Sequence, residues 1–271
     1  MICAPRVLSG AAWGVAMACA LPMLAVALAA VTSGTDTIVH LASTVLGRYS
    51  INTVFLILLV SVGTFAVGVG AAWLVTMTHF KGVKFFEITL VLPLAFPAYV
   101  LAYAYTSVLD HPGIVQSTLR NVMDWGPRDY WFPEIRSLGG AALMLVLVLY
   151  PYVYLLARAS FIQQSGSAFM TARGLGASPL AAFLTVSLPL ARPAIAAGVL
   201  LAVMETIADF GTVAYFGVQT FATGIYTSWF SMGDRAGAAQ LAVCLLMFAF
   251  MLAVLERIQR GRAKYYDQSR S

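Results

Sequence analysis

Six long apolar runs alternate with short polar segments along the chain. They fall near residues 8–31, 51–78, 88–109, 138–157, 193–216 and 236–255. Each approaches the roughly 20 mostly apolar residues that a helix needs to cross a bilayer. None alternates with period two, which argues against the strands of a membrane barrel. The pattern predicts an all-α, polytopic membrane protein with about six transmembrane helices, forming a single domain over residues 1–271. The second run is long enough to tilt or to extend past the bilayer. Pro93 and Pro97 lie inside the third, where each removes a backbone donor and predicts a kink. The first run admits two readings. Arg6, the apolar stretch and Ala27-Leu28-Ala29 match a secretory signal with a cleavage site, but the length of the run favours an uncleaved first helix.

Composition reinforces the pattern. The 271 residues are 61% hydrophobic and 10% charged, whereas soluble domains carry about 25% charged residues. The net charge of +5 is therefore read as topology, not as a nucleic-acid signal. With the N-terminus inside, inner segments hold eleven of the sixteen Lys and Arg residues and outer segments five. This bias satisfies the positive-inside rule. It predicts that both termini and the segment 160–192 face the cytoplasm, with a basic cytoplasmic tail over 256–271.

Chemistry-bearing residues are sparse. Cys3, Cys19 and Cys244 lack metal or redox spacing, and His40, His79 and His111 are scattered. Glu205 and Asp209 stand out because they lie within the fifth apolar run. Four residues apart in a helix, they would share one face. A carboxylate at bilayer depth costs on the order of 3 kcal/mol, so that face should point into a bundle or a water-filled path. It could meet a hard cation, whose preferred ligands are oxygens, pair with a subunit, relay protons, or serve packing alone. The outer segment 110–137 mixes Asp110, Asp124, Asp129 and Glu134 with Arg120, Arg128 and Arg136 among Trp125, Tyr130 and Trp131. It reads as an interfacial aromatic belt or as a docking face for an external partner.

The stretch TARGLGASPLAAFLTVSLPL, 171–190, is too polar to span a membrane. Gly176 can end a helix in a left-handed conformation. Ser178 can cap the next helix, with Pro179 at its first position. Pro189 and Pro193 should then re-aim the chain into the fifth membrane helix. The product is a helix-turn-helix whose apolar residues Leu180, Phe183, Leu184 and Leu188 must pack on the bundle or on a partner.

This spacing resembles the cytoplasmic loop of ABC importer permeases. There a Glu-Ala-Ala group precedes a glycine, followed after nine residues by an aliphatic position and Leu-Pro. The matching positions here are Met170-Thr171-Ala172, Gly176, Val186 and Leu188-Pro189; Met170 and Thr171 depart from the usual Glu and Ala. ETIADFGTVAYFGVQTFATGIY, WFSMGDRAGAAQLA and PLAFPAYVLAYAY resemble the permeases of ferric-iron importers, with phosphonate and polyamine permeases sharing much of the pattern. The resemblance implies a type I importer permease architecture in the bacterial inner membrane. In it, residues 163–190 form a coupling helix seated on a separate ATPase, a second permease half completes the path, and a periplasmic binding protein docks outside, at 110–137 and 218–236. It implies that substrate, ferric iron in the permeases these segments resemble, passes Glu205 and Asp209. It also implies that this chain is not an enzyme and binds no cofactor, ATP being used by the partner; no GxxxxGK[ST] motif occurs. The rival expectation is a self-contained ion- or proton-coupled carrier. An intramembrane enzyme would need a nucleophile–base pair or a metal set, and Glu205 and Asp209 have no His or Cys companion at suitable spacing.

Overall fold

The computed structural model describes the backbone of residues 6–32, 34, 36–127, 129–164 and 166–262, and side chains within 10–32, 34, 39–127, 129–164 and 169–254. The described residues form helices joined by turns and short irregular stretches. α1 (Arg6–Thr32), α3 (Leu46–Met77), α7 (Leu138–Gln163), α10 (Leu188–Ala208) and α13 (Arg235–Arg262) are the long helices. Shorter ones connect them: α2 (Asp36–Thr44), α4 (Val83–Thr89), α5 (Ala98–Leu109), α6 (Ile114–Met123), α8 (Gly166–Gly174), α9 (Pro179–Ala182), α11 (Gly211–Tyr215) and α12 (Phe221–Tyr226). Among the described residues five helices are long and apolar enough to cross a membrane, and a sixth span results if the pair bent by 102°, Val83–Ala95 with Ala98–Met123, counts as one.

α7 is the axis of the bundle. Its Leu145, Val153, Tyr154 and Ala157 are fully buried, with α3 and α10 packed along it. Small residues permit the close approach, as is common between membrane helices. A Cβ added at Gly198 of α10 would lie 2.7 Å from Val153 Cα, and one at Gly68 of α3 would lie 2.7 Å from Val153 Cβ. α1 stands outside this core and leans on α13, where Gln240 Nε2 donates to the Gly34 carbonyl at 2.9 Å.

Two sequence expectations need correction. The third run is not one kinked helix. It divides into α4, a 3-10 turn at Leu92–Ala95, and α5, with Phe96 and Pro97 both extended. The fifth run also has different bounds. Pro179–Ala208 is one 30-residue span, running without a break through a π-helical turn at Phe183–Ser187. Pro189 and Pro193 therefore do not re-aim the chain. The π turn bonds the Leu188 N–H to the Phe183 carbonyl, shifting the ladder by one residue just before Pro189, whose missing donor and ring would otherwise disturb it.

Candidate functional site

The segment 166–190 folds as its local chemistry dictates. α8 closes in a Schellman arrangement: the Ala177 N–H donates to the Ala172 carbonyl at 3.1 Å, and the Gly176 N–H to the Arg173 carbonyl at 3.0 Å. Gly176 sits at φ +91°, where a side chain would be strained. Arg173 Nη1 donates to the Ala177 carbonyl at 2.7 Å and braces the turn. Ser178 Oγ then accepts from the Ala181 N–H at 3.1 Å, with Pro179 opening the next helix.

The two sides of this segment have different fates. Phe183, 6% exposed, is held between Trp73 of α3 and Phe161 of α7, with ring centroids 5.2 and 5.7 Å away. Gln164 Nε2 donates to the Ser187 carbonyl at 3.0 Å, fixing the π turn to the end of α7. Val186, Leu188 and Pro189 are half-buried beside it. Met170, Leu175, Leu180 and Leu184 face outward, Leu175 being 84% exposed; Thr171 is exposed and Ala172 half-buried. The four residues Leu180, Phe183, Leu184 and Leu188, expected to pack on the bundle or on a partner, take both places open to them. Phe183 and Leu188 join the bundle, while Leu180 and Leu184 remain outside it.

Glu205 lies within α10 and Asp209 is the residue that caps its C-terminal end. α10 ends at Ala208, and Asp209 adopts extended angles, φ −67° and ψ 122°. Its carboxylate caps α11, accepting from the Val213 N–H at 3.1 Å and from Thr212 Oγ1 at 3.0 Å. Asp is a favoured capping residue, and the Asp-Phe-Gly sequence here was the overlooked signal. Glu205 lies on the unburied stripe of α10 with Leu201, Met204 and Ala208, opposite the buried Ala202, Val203, Thr206 and Ile207. It makes no hydrogen bond or ion pair with the described residues. Nor do three or more His, Cys, Asp or Glu side chains gather into a metal cluster among those residues.

The segment 110–137 is built around polar contacts. Gln116 Nε2 donates to the Leu109 carbonyl at 2.8 Å, Tyr130 Oη donates to Gln116 Oε1 at 2.8 Å, and Arg120 Nη1 donates to Tyr130 Oη at 2.8 Å. Trp125 stacks on Tyr130 at 5.6 Å. Arg136 pairs with Asp110 at 3.2 Å and lies 4.9 Å from the centre of the Tyr215 ring. The hydrogen bond that it donates to Asp110 raises the Arg136 guanidinium above its ordinary pKa. The contact joins 110–137 to the end of α11. Arg128 lies outside the described residues, as do 263–271 of the basic tail.

Sequence reasoning missed a further ion pair, Arg158 Nη2 to Glu87 Oε2 at 3.1 Å. Tyr154 Oη donates to the Glu87 carbonyl at 3.4 Å. These contacts hold α4, the first half of the broken span, against α7. The two charges are 71 residues apart and lie in different segments, so no local spacing marked them.

Comparison with known proteins agrees with this architecture. The profile described as binding-protein-dependent transport system inner membrane component matches residues 64–264. A ferric-iron transport system permease of Haemophilus influenzae is 26% identical over 219 residues, 81% of this chain and 39% of that protein. The chain therefore spans about two fifths of that relative. A molybdenum transport system permease of Escherichia coli is 28% identical over 206 residues, 72% of this chain and 87% of that one. A putative 2-aminoethylphosphonate transport system permease of Salmonella choleraesuis is 24% identical over 217 residues, 78% of this chain and 74% of that one. Among solved structures, a bacterial ABC transporter involved in importing the acidic polysaccharide alginate shares the fold. Its TM-score is 0.77 at 16% identity, with 96% of each chain covered. The methionine ABC transporter MetNI matches at a TM-score of 0.62 and 14% identity, over 80% of this chain and 95% of that one. These matches displace the self-contained carrier: the chain belongs to the inner-membrane permease components of binding-protein-dependent ABC importers, as a multi-pass transport subunit that is not itself catalytic.

Proposed function

We propose that this permease takes ferric iron from a periplasmic binding protein and passes it inward, driven by ATPase subunits seated on residues 163–190. The observation that carries the ATP-driven reading is the two-sided segment. Met170, Leu175, Leu180 and Leu184 offer apolar contacts to a partner, while Phe183 sits in the packing of α3 and α7. A push on the outer side reaches the membrane helices through that ring. The excess of Lys and Arg on this end supports a cytoplasmic position for the segment and for both termini. The segments 110–137 and 218–236 then face the binding protein.

The path reading rests on Glu205. A charged group at bilayer depth is costly against lipid, so its stripe faces a second permease half across a polar route. Asp209 bounds that route by holding α11 in place. The ferric-iron relative supports the substrate, because its alignment covers 81% of this chain and carboxylate oxygen suits a hard cation. Transport of an oxyanion is the second reading, favoured by the 87% coverage of the molybdenum permease.

Uptake of radioactive ferric iron and of molybdate by vesicles containing the assembled transporter decides between them. Iron uptake should fall about tenfold or more in Glu205→Gln while the complex still assembles. Unchanged iron uptake would remove Glu205 from the path, and uptake of molybdate alone would replace iron as the substrate.

A further inference from the structure

A groove with a cavity volume of about 360 Å³ opens among the residues of segment 110–137, but a larger one of about 630 Å³ lies between α3, α10 and α13. Ile57, Leu58 and Phe65 of α3, Val199 and Val203 of α10, and Leu252 of α13 form its walls. Apart from Ser61 and Arg192 its lining is apolar. Arg192 to Val203 is eleven residues of helix, or about 16 Å. That is close to half of a roughly 30 Å hydrocarbon core, the depth of one leaflet.

Arg192 is exposed. The ion pairs among the described residues are Arg136–Asp110 and Arg158–Glu87, so no described carboxylate compensates it. α13 continues as helix past Leu252 to Arg262, bringing the backbone of Arg257, Arg260 and Arg262 to the same end of the bundle. An apolar slot of leaflet depth, closed at one end by a guanidinium that no described carboxylate compensates, suits a lipid whose phosphate diester gives the head group a net negative charge.

We propose that this groove holds an anionic phospholipid of the inner leaflet, its phosphate on Arg192 and an acyl chain along Val199 and Val203. The leaflet assignment rests on the orientation proposed above; the lipid site itself does not. The occupant is expected to fill the seam between α3 and α13 on the flank of α10, and so to move with the helix that continues the coupling segment.

The test is native mass spectrometry of the detergent-solubilised transporter titrated with cardiolipin or with phosphatidylcholine. The wild type should retain cardiolipin in preference to phosphatidylcholine. Arg192→Gln should weaken cardiolipin about fivefold and erase the preference. Ala196→Trp, which fills the groove and keeps the arginine, should lose the lipid while eluting as an intact complex. Cardiolipin retention unchanged in Arg192→Gln would overturn the proposal, whether the arginine is served by Glu256 or the lipid binds elsewhere. So would binding to the isolated permease but not to the complex, because the second permease half would then cover the groove. Orientation is tested separately by labelling Leu175→Cys with a membrane-impermeant maleimide in sealed cells. Protection supports the inner leaflet; labelling would sink the orientation and the leaflet assignment, leaving the detergent titration to decide the site.

Discussion

Pro93 and Pro97 are four residues apart, and so are Pro189 and Pro193, yet the first pair breaks its helix and the second does not. Around the first pair, α4 and the 3-10 turn bury no residue, and Leu92 and Phe96 are about half exposed. Phe96, which precedes Pro97, takes the extended angles that proline imposes on its neighbour (φ −115°, ψ 138°). Nothing opposes that local preference, and the span bends by 102°. Leu188, which precedes Pro189, stays helical at φ −65° and ψ −46°. There the cost is offset by neighbours: Phe183, Ser187, Ala191 and Ile195 are buried along one side, Gln164 takes up the Ser187 carbonyl, and the π turn relocates the ladder. Tertiary packing, not proline spacing, decides which span stays whole. Its mechanical consequence is that residues 179–190 and α10 form one lever, which the proposed orientation places on the cytoplasmic side.

The comparison can be broken at several points. Phe183→Ala should have the largest effect, because the cost of truncating a buried aromatic is about 3–5 kcal/mol. It should lower the thermal stability of the purified permease and uncouple ATP hydrolysis from binding protein. Gly198→Leu comes next. The added side chain meets the Val153 backbone, and overpacking of this kind costs roughly 1–3 kcal/mol. Disulfide trapping across α7 and α10 should report their separation. Gln164→Leu should cost about 0.5–1.5 kcal/mol by removing its bond to the Ser187 carbonyl, measured as a lower midpoint in thermal denaturation with assembly retained. The smallest effect belongs to the broken span. Glu87→Gln removes a partly exposed ion pair worth about 1 kcal/mol or less, and the double exchange Glu87→Arg with Arg158→Glu should restore part of it. If Glu87→Gln destabilised the protein more than Phe183→Ala, the ranking of the two regions would be reversed.

What could be read from the chain was what its neighbours in sequence decide. The Gly176, Ser178 and Pro179 turn is legible residue by residue, because left-handed backbone, capping and the first helical position are all local demands. The apolar runs are legible because bilayer thickness imposes length. The bounds of the fifth run were not: its span begins fourteen residues before 193, since the packing that carries the helix through Pro189 comes from Trp73, Phe161 and Gln164, distant in sequence. The capping role of Asp209 escaped the sequence for a different reason. Helical spacing presumes a helix, and Asp209 begins a new one by capping Val213. The outward stripe around Glu205 could not be seen without the buried face opposite it.

The most direct test of the lever is ATP hydrolysis in lipid vesicles containing the permease, its ATPase subunits, any second permease half and the binding protein. Wild-type hydrolysis should rise when ferric-loaded binding protein is added. Leu180→Glu combined with Leu184→Glu should abolish association with the ATPase, while Phe183→Ala should leave the ATPase bound but no longer stimulated. Full stimulation in Phe183→Ala would contradict the account, because the signal would then reach the membrane helices without the ring that joins them to the segment.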